Sequence, residues 1–152
     1  MQTDQMPPIV YRTYINASPE TVYQTLATGE GWNAWFTTTA TVDAQTGGSY
    51  RFHWKDWAAE RETETMEGPV VEATPPRVFS FIWEAGESRT TVRFELEWRA
   101  DGTLVTLTES GYGFSEVDVR ACLSCAGGWG EALTLLKFYL EHGVTYGDVP
   151  AP

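Results

Sequence analysis

The sequence predicts an α+β fold in which a long C-terminal helix covers one face of an antiparallel sheet. The first observation is an alternating strand followed by two short helical segments at the start of the chain. The second is period-two alternation from Thr37 to Tyr112, and the third is a long helical pattern from about Ser115 to His142. The order of these segments places the helix last, where it can cover the completed sheet.

Capping residues mark the two short helices that follow the first strand. Residues 9–16 (IVYRTYIN) alternate as a strand. Ser18, followed by proline and glutamate, supplies an N-cap, a proline at the first helical position and an acid in the first turn of a helix that continues through Leu26. Thr28 can cap a second helix over GEGWNAWF, which places three aromatic residues on one face: Trp32, Trp35 and Phe36.

The central segment predicts a six-stranded antiparallel meander. Turn signals interrupt its alternation at 47–48 (Gly-Gly), 75–76 (Pro-Pro), Gly86 and 101–102 (Asp-Gly). Polar residues take one phase of the strands, and large apolar residues take the other. The predicted apolar face carries Tyr50, Phe52, Trp54, Phe79, Phe81, Trp83, Val92, Phe94, Leu96 and Trp98.

Both ends of the final helix are predicted by its sequence. Ser115 precedes two acids in the first turn, and a histidine followed by Gly143 is typical of a helix C-terminus. An apolar stripe suited to lie on the sheet contains Cys122, Ala126, Trp129, Leu133, Leu136 and Leu140. Glycines at 127, 128 and 130 each cost about 1 kcal/mol relative to alanine, so we expect either close packing or a local break there.

Length and charge limit the classes of function. With 152 residues the chain can form one domain with a core, which we place at 9–143, with tails at 1–8 and 144–152. Ten Lys and Arg against 21 Asp and Glu give a net charge of −11, which disfavours nucleic acid and anionic membrane surfaces as partners. No apolar run is long enough to predict a membrane span, so we expect no insertion into a bilayer.

The cysteines and histidines do not form a recognisable metal or redox motif. The first ten residues lack the features of a secretory signal, which predicts a cytoplasmic location and reduced thiols. Cys122 and Cys125 form a CxxC, but zinc needs four ligands, and His53 and His142 lie far away in sequence. We therefore expect helical thiols, no metal and no cofactor.

Five segments, in order, carry a resemblance to a known family. They are ASPETVYQTLATGEGWNAWF, GGSYRFHW, EGPVVEATPPRVFSFIWE, GTLVTLTESGY and GWGEALTLLKFYLEHG. Together they resemble the AHSA-type family, named for the activator of heat-shock protein 90 ATPase, within the START-like (SRPBCC) superfamily. The resemblance covers about residues 9–143 and implies the helix-grip fold, in which a curved sheet holds the long helix over a hydrophobic cavity. In the superfamily this cavity holds lipids, sterols, polyketides or other apolar molecules.

The predicted ligand-binding residues combine the apolar sheet face with the helices that cover it. Aromatic side chains in this position either fill a close-packed core or narrow a cavity that remains open. The predicted set is Trp35, Phe36, Phe52, Trp54, Phe79, Phe81, Trp83, Phe94, Leu96, Trp98, Leu107, Glu109, Trp129 and Leu133.

Glu109 is the one acid in the predicted set. Alternation in LVTLTES directs it to the same face as Val105 and Leu107. If it is buried, it suits proton transfer or a hydrogen bond to a ligand hydroxyl. The favoured alternative places it at the strand end, near the rim, paired with solvent or with Arg77 or Arg93.

Three functions follow as expectations. The leading one is non-catalytic binding of a small apolar, lipid-like or aromatic molecule by a monomer or homodimer. The second is a cyclase-like or hydrolase-like enzyme in which Glu109 acts as acid and base, with Tyr112 or a water. The third is an interaction module that contacts a chaperone, which would require an exposed apolar patch.

Overall fold

The computed structural model describes residues 4–146, and its elements follow the predicted order. The three helices are α1 (Pro19–Leu26), α2 (Gly29–Trp35) and α3 (Glu116–His142). The strands are β1 (Ile9–Ile15), β2 (Thr39–Val42), β3 (Ser49–Trp57), β4 (Glu62–Thr74), β5 (Val78–Trp83), β6 (Thr90–Arg99) and β7 (Gly102–Ser110). The predicted α+β helix-grip fold is confirmed.

All described strands belong to one open antiparallel sheet in the order β1-β7-β6-β5-β4-β3-β2. Strands β2 to β7 form the predicted meander, since each pairs with the next along the chain. Strand β1 pairs with β7, from Ile9 opposite Glu109 to Ile15 opposite Thr103. The first strand therefore extends the sheet beside the last one, which makes β7 an interior strand along its whole length.

The predicted caps hold the ends of the helices. The hydroxyls of Ser18, Thr28 and Ser115 accept hydrogen bonds from backbone N–H groups in the first turns of α1, α2 and α3. Gly143 ends α3 in the left-handed conformation with φ 69°, which favours glycine. Helix α3 continues without a break through its glycines, so the alternative of a local break is wrong.

Asp118 ties the start of α3 to two loops of the sheet. Its buried carboxylate accepts hydrogen bonds from Glu87 N (2.8 Å), Ser88 N (3.1 Å), Ser88 Oγ (2.5 Å) and Gly113 N (2.7 Å). The Ser88 hydroxyl, followed by the backbone donors, lowers the pKa of this carboxyl to about 2. These bonds fix where the long helix crosses the sheet.

The apolar sheet face forms the core, with one exception. Ring contacts connect Trp32 of α2 to Phe52, Phe81 and Phe94, each with no exposed surface. Trp98 was expected on the covered face, but 73% of its surface is exposed. Alternation does direct it to this face, but β6 extends beyond the area that the helices cover.

The hairpin between β3 and β4 contains a turn that the sequence did not predict. Asp56, Ala58 and Arg61 have φ values of 53°, 61° and 52°, although none is glycine. The register also shifts between Trp54 and Trp57, which marks a bulge. The hairpin tip thus carries a strained backbone beside α3.

None of the helices described is long and apolar enough to span a membrane.

Candidate functional site: an aromatic groove between sheet and helix

An open groove of about 540 Å³ lies between the β3–β4 hairpin and the middle of α3. Five aromatic residues line it: Phe36, Trp54, Trp57, Trp83 and Trp129. The other lining residues come from the hairpin and from α3: Ala58, Glu62, Glu64, Leu123, Ser124, Cys125, Gly127, Gly128 and Glu131. Its volume lies in the range of small-molecule sites, and its lining combines aromatic rings with polar and acidic side chains.

Two glycines of α3 leave space beside the groove because they carry no side chain. A Cβ atom placed on Gly127 or Gly128 would meet nothing within 4 Å. In contrast, a Cβ on Gly130 would lie 3.0 Å from the ring of Tyr11, so this glycine permits close packing of α3 on β1. The helix therefore uses its glycines in two ways, and only the pair at 127–128 opens space beside the groove.

Two tryptophans in the groove wall have buried N–H groups without acceptors. Trp54 and Trp83 are 5% and 8% exposed, and the Nε1 atom of each has no hydrogen-bond partner among residues 4–146. The Trp83 N–H lies near the Cys125 thiol and acts to lower its pKa, but the contact does not meet the geometry of a hydrogen bond. Buried indole N–H groups usually find a partner, so these two donors are unsatisfied within the described residues.

Behind Trp129 lies a buried carboxylate. The Trp129 indole donates to Glu109 Oε1 at 2.8 Å, and the Thr90 hydroxyl lies 2.6 Å from Oε2. Glu109 has no exposed surface, and no cationic group in the described chain lies within ion-pair distance of it. It does not line the groove, so its direct role is to hold the Trp129 ring in position.

This position corrects the expectation that Glu109 lies at the rim with Arg77 or Arg93. Glu109 is the penultimate residue of β7, as expected, but it is not at an exposed rim, since it pairs with Ile9 on one side and Val92 on the other. Arg93 instead binds two other glutamates on the outer face. Glu109 is buried because β1, which is distant in sequence, covers the end of β7.

The cysteines near the groove are free thiols. Burial, followed by the charge of Glu109, raises the pKa of Cys125 to about 11, and burial also raises the pKa of Cys122. The Tyr112 hydroxyl donates to Cys125 Sγ at 3.2 Å, and its own pKa is raised, first by burial. Both groups are therefore neutral at physiological pH, which makes Cys125 a poor nucleophile.

Apart from Glu109, which lies behind Trp129, the structure divides the predicted site residues among three locations. The groove brings together Phe36, Trp54, Trp83 and Trp129. The close-packed core contains Trp35, Phe52, Phe79, Phe81, Phe94, Leu107 and Leu133, none of which has exposed surface. Leu96 and Trp98 line a separate groove of about 670 Å³ beside the start of α1.

Several groove residues were not among the predicted ones. Trp57 and Ala58 follow a register shift, so strand alternation could not place them. Glu62 and Glu64 belong to an acidic stretch at 60–67, in which carboxylates alternate with other residues as is typical of a solvated strand. The glycines of α3, which lower the stability of a helix, were the feature of the sequence that indicated the groove wall.

Comparison with known proteins gives the family and the fold. The sequence profile of the family described as activator of Hsp90 ATPase homolog 1-like protein matches residues 16–141. No curated protein matches significantly.

Solved structures of similar proteins share the fold. The Aha1 dimer from Colwellia psychrerythraea is 27% identical, with a TM-score of 0.73, over 91% of this chain and 98% of that one. Protein SSP2350 from Staphylococcus saprophyticus is 23% identical, with a TM-score of 0.73, over 93% of this chain and 96% of that one. DynU16, a putative protein in the dynemicin biosynthetic locus, is 19% identical, with a TM-score of 0.76, over 95% of this chain and 49% of that one. From its profile match, its helix-grip sheet and its long covering helix, the chain belongs to the activator of Hsp90 ATPase homolog 1-like family.

Proposed function

We propose that this protein binds a small apolar molecule with an aromatic or lipid-like body in the groove between the β3–β4 hairpin and α3, without transforming it. The observation that carries the proposal is the pair of buried, unpartnered indole N–H groups of Trp54 and Trp83 in an aromatic groove wall. Neighbouring side chains cover both Nε1 atoms, so an acceptor atom of the ligand would pair with one of these donors after a shift of the indole, while the apolar body covers the rings.

The groove provides enough contact for such a ligand. Its volume of about 540 Å³ lies within the range of about 300–1,000 Å³ that small-molecule sites occupy. Trp129 is anchored by Glu109, and Phe36 stacks on Trp35 with ring centroids 5.1 Å apart. These rings are held in place before binding, which lowers the entropic cost of association.

The enzyme and chaperone expectations have less support. Glu109 is separated from the groove by Trp129, so an acid or base role would require that ring to move. Contact with a chaperone rests on the family name and on exposed Trp98, and no feature of that surface identifies a partner.

A binding experiment with a blocked groove tests the proposal. The probes are the neutral compounds (6-methoxynaphthalen-2-yl)methanol and 1-dodecanol, with affinity measured by calorimetry and by quenching of Trp fluorescence. We expect Gly128→Leu to abolish binding because its side chain would enter the groove. Thr134→Leu, at an exposed position of the same helix outside the groove, should leave binding intact. Absence of binding to the wild-type protein, or equal affinity in Gly128→Leu, would contradict the proposal.

A further inference from the structure

The groove has three carboxylates at its mouth, and no cationic residue of the described chain lines it. Glu62 and Glu64 come from β4, and Glu131 comes from α3 on the opposite side. In the paired strands, Glu64 lies opposite Trp54 and Glu62 lies opposite Trp57. Directly opposed residues of an antiparallel pair point to the same face, so these acids lie on the aromatic side of the sheet.

These three carboxylates have no ion-pair partners within residues 4–146. Their neighbour Glu67, in the opposite phase of β4, is paired with Arg51 at 3.4 Å. The nearest cationic residues along the hairpin do not pair with these carboxylates. Lys55 adjoins Trp54 in the alternate phase, and Arg61 pairs with Asp56 at 3.5 Å. The negative charge beside the groove is therefore not neutralised by an ion pair within the described part of the chain.

Aromatic faces and unpaired carboxylates favour the same kind of ligand group. The face of an indole ring attracts a cation, and organic ammonium groups are recognised in this way by aromatic sites. Carboxylates at the rim add Coulomb attraction, and the net charge of −11 brings cations toward the protein. The same charges repel a ligand carboxylate, such as that of a fatty acid.

We propose that the groove selects organic cations, in which a protonated or quaternary amine is joined to an aromatic or apolar body. This inference rests on the proposed function and names the ligand class of the same site. The apolar body lies against the rings of Trp54, Trp83 and Trp129, with an acceptor atom for an unpartnered indole. The ammonium group lies at the mouth between the carboxylates of β4 and Glu131.

Three compounds with one body test the charge preference. They are (6-methoxynaphthalen-2-yl)methanamine, the corresponding alcohol and 6-methoxy-2-naphthoate, titrated calorimetrically at pH 7 into the full-length chain. The methoxy oxygen supplies the acceptor in all three. We expect the amine to bind about 2- to 30-fold more tightly than the alcohol, with the carboxylate weakest. Raising the NaCl concentration from about 50 to 500 mM should reduce the advantage of the amine.

Two triple variants separate local charge from net charge. In Glu62→Gln/Glu64→Gln/Glu131→Gln the advantage of the amine should fall to the part that the indole faces supply, while the alcohol keeps its affinity. The control Glu67→Gln/Glu95→Gln/Glu97→Gln removes the same charge from exposed residues outside the groove and should keep the preference.

The outcomes distinguish this inference from the proposed function. Binding of the alcohol with no preference for the amine, or a preference that the groove variant leaves undiminished, overturns the inference and leaves the proposed function intact. Failure of all three compounds to bind overturns both.

Discussion

The glycine pair in α3 gives the sharpest prediction, because stability and binding should change in opposite directions. Gly127 and Gly128 have ordinary helical conformations, and a Cβ on either would meet nothing within 4 Å. Alanine should therefore fit at both positions without displacing a neighbour. Both residues line the groove, so the added methyl groups would occupy ligand space.

The magnitude follows from helix propensity. Each Gly→Ala change in an unstrained helix interior stabilises by about 1 kcal/mol, chiefly because the unfolded chain loses conformational freedom. In a chain of 152 residues, 1 kcal/mol corresponds to about 2–4 °C in melting temperature. We expect the double variant Gly127→Ala/Gly128→Ala to gain about 2 kcal/mol and to bind a groove-filling ligand more weakly.

Urea unfolding and calorimetric titration measure the two effects, and Gly130→Ala is the matched control. A Cβ at this position would lie 3.0 Å from the Tyr11 ring, so accommodating it should offset part of the propensity gain. Gly130→Ala should thus gain less stability than the single variants Gly127→Ala and Gly128→Ala. It should also leave the affinity for the ligand unchanged. Equal gains at all three positions, or unchanged affinity in the double variant, would refute the assignment of 127–128 to the groove wall.

Three further predictions concern buried polar groups. Trp129→Phe should lower the free energy of unfolding in urea by about 1–3 kcal/mol more than Trp35→Phe, because only Trp129 donates to a buried carboxylate. In a Cys122→Ala background, alkylation of Cys125 by iodoacetamide should accelerate close to tenfold per pH unit from pH 7 to 10, because burial raises its pKa to about 11. The stabilisation from Asp118 should be complete above about pH 4 and decline toward pH 2, because hydrogen bonds lower its folded pKa to about 2 from 3.8. The melting-temperature difference between the wild type and Asp118→Asn should therefore shrink as the pH falls.

Each of these measurements has a contradicting result. Equal losses in the two tryptophan variants would mean that the bond to the carboxylate adds no stability. An alkylation rate that levels off below pH 9 would contradict the raised thiol pKa. A melting-temperature difference for Asp118→Asn that is constant between pH 5 and pH 2 would contradict the lowered carboxyl pKa.

Local sequence signals determined most of the architecture. The caps at Ser18, Thr28 and Ser115 and the terminal Gly143 define the helix ends through short-range hydrogen bonds and backbone conformation. Alternation assigned Tyr50, Phe52 and Trp54 to the buried face because side chains alternate between the two faces of a strand. These signals depend on neighbours within a few residues, so they can be interpreted before the fold is known.

The tertiary structure decided which of these residues fill the core and which line the groove. Phe52 and Trp54 share one face of β3, but only Trp54 reaches the groove. Glu109 is buried because β1 pairs beside it and α3 supplies the Trp129 donor, contacts that span 100 and 20 residues. The sequence by itself determined the order of the elements and the aromatic face, because these follow from local periodicity. The groove and its acidic mouth follow from how far each strand extends past the helix, and only long-range packing decides that distance.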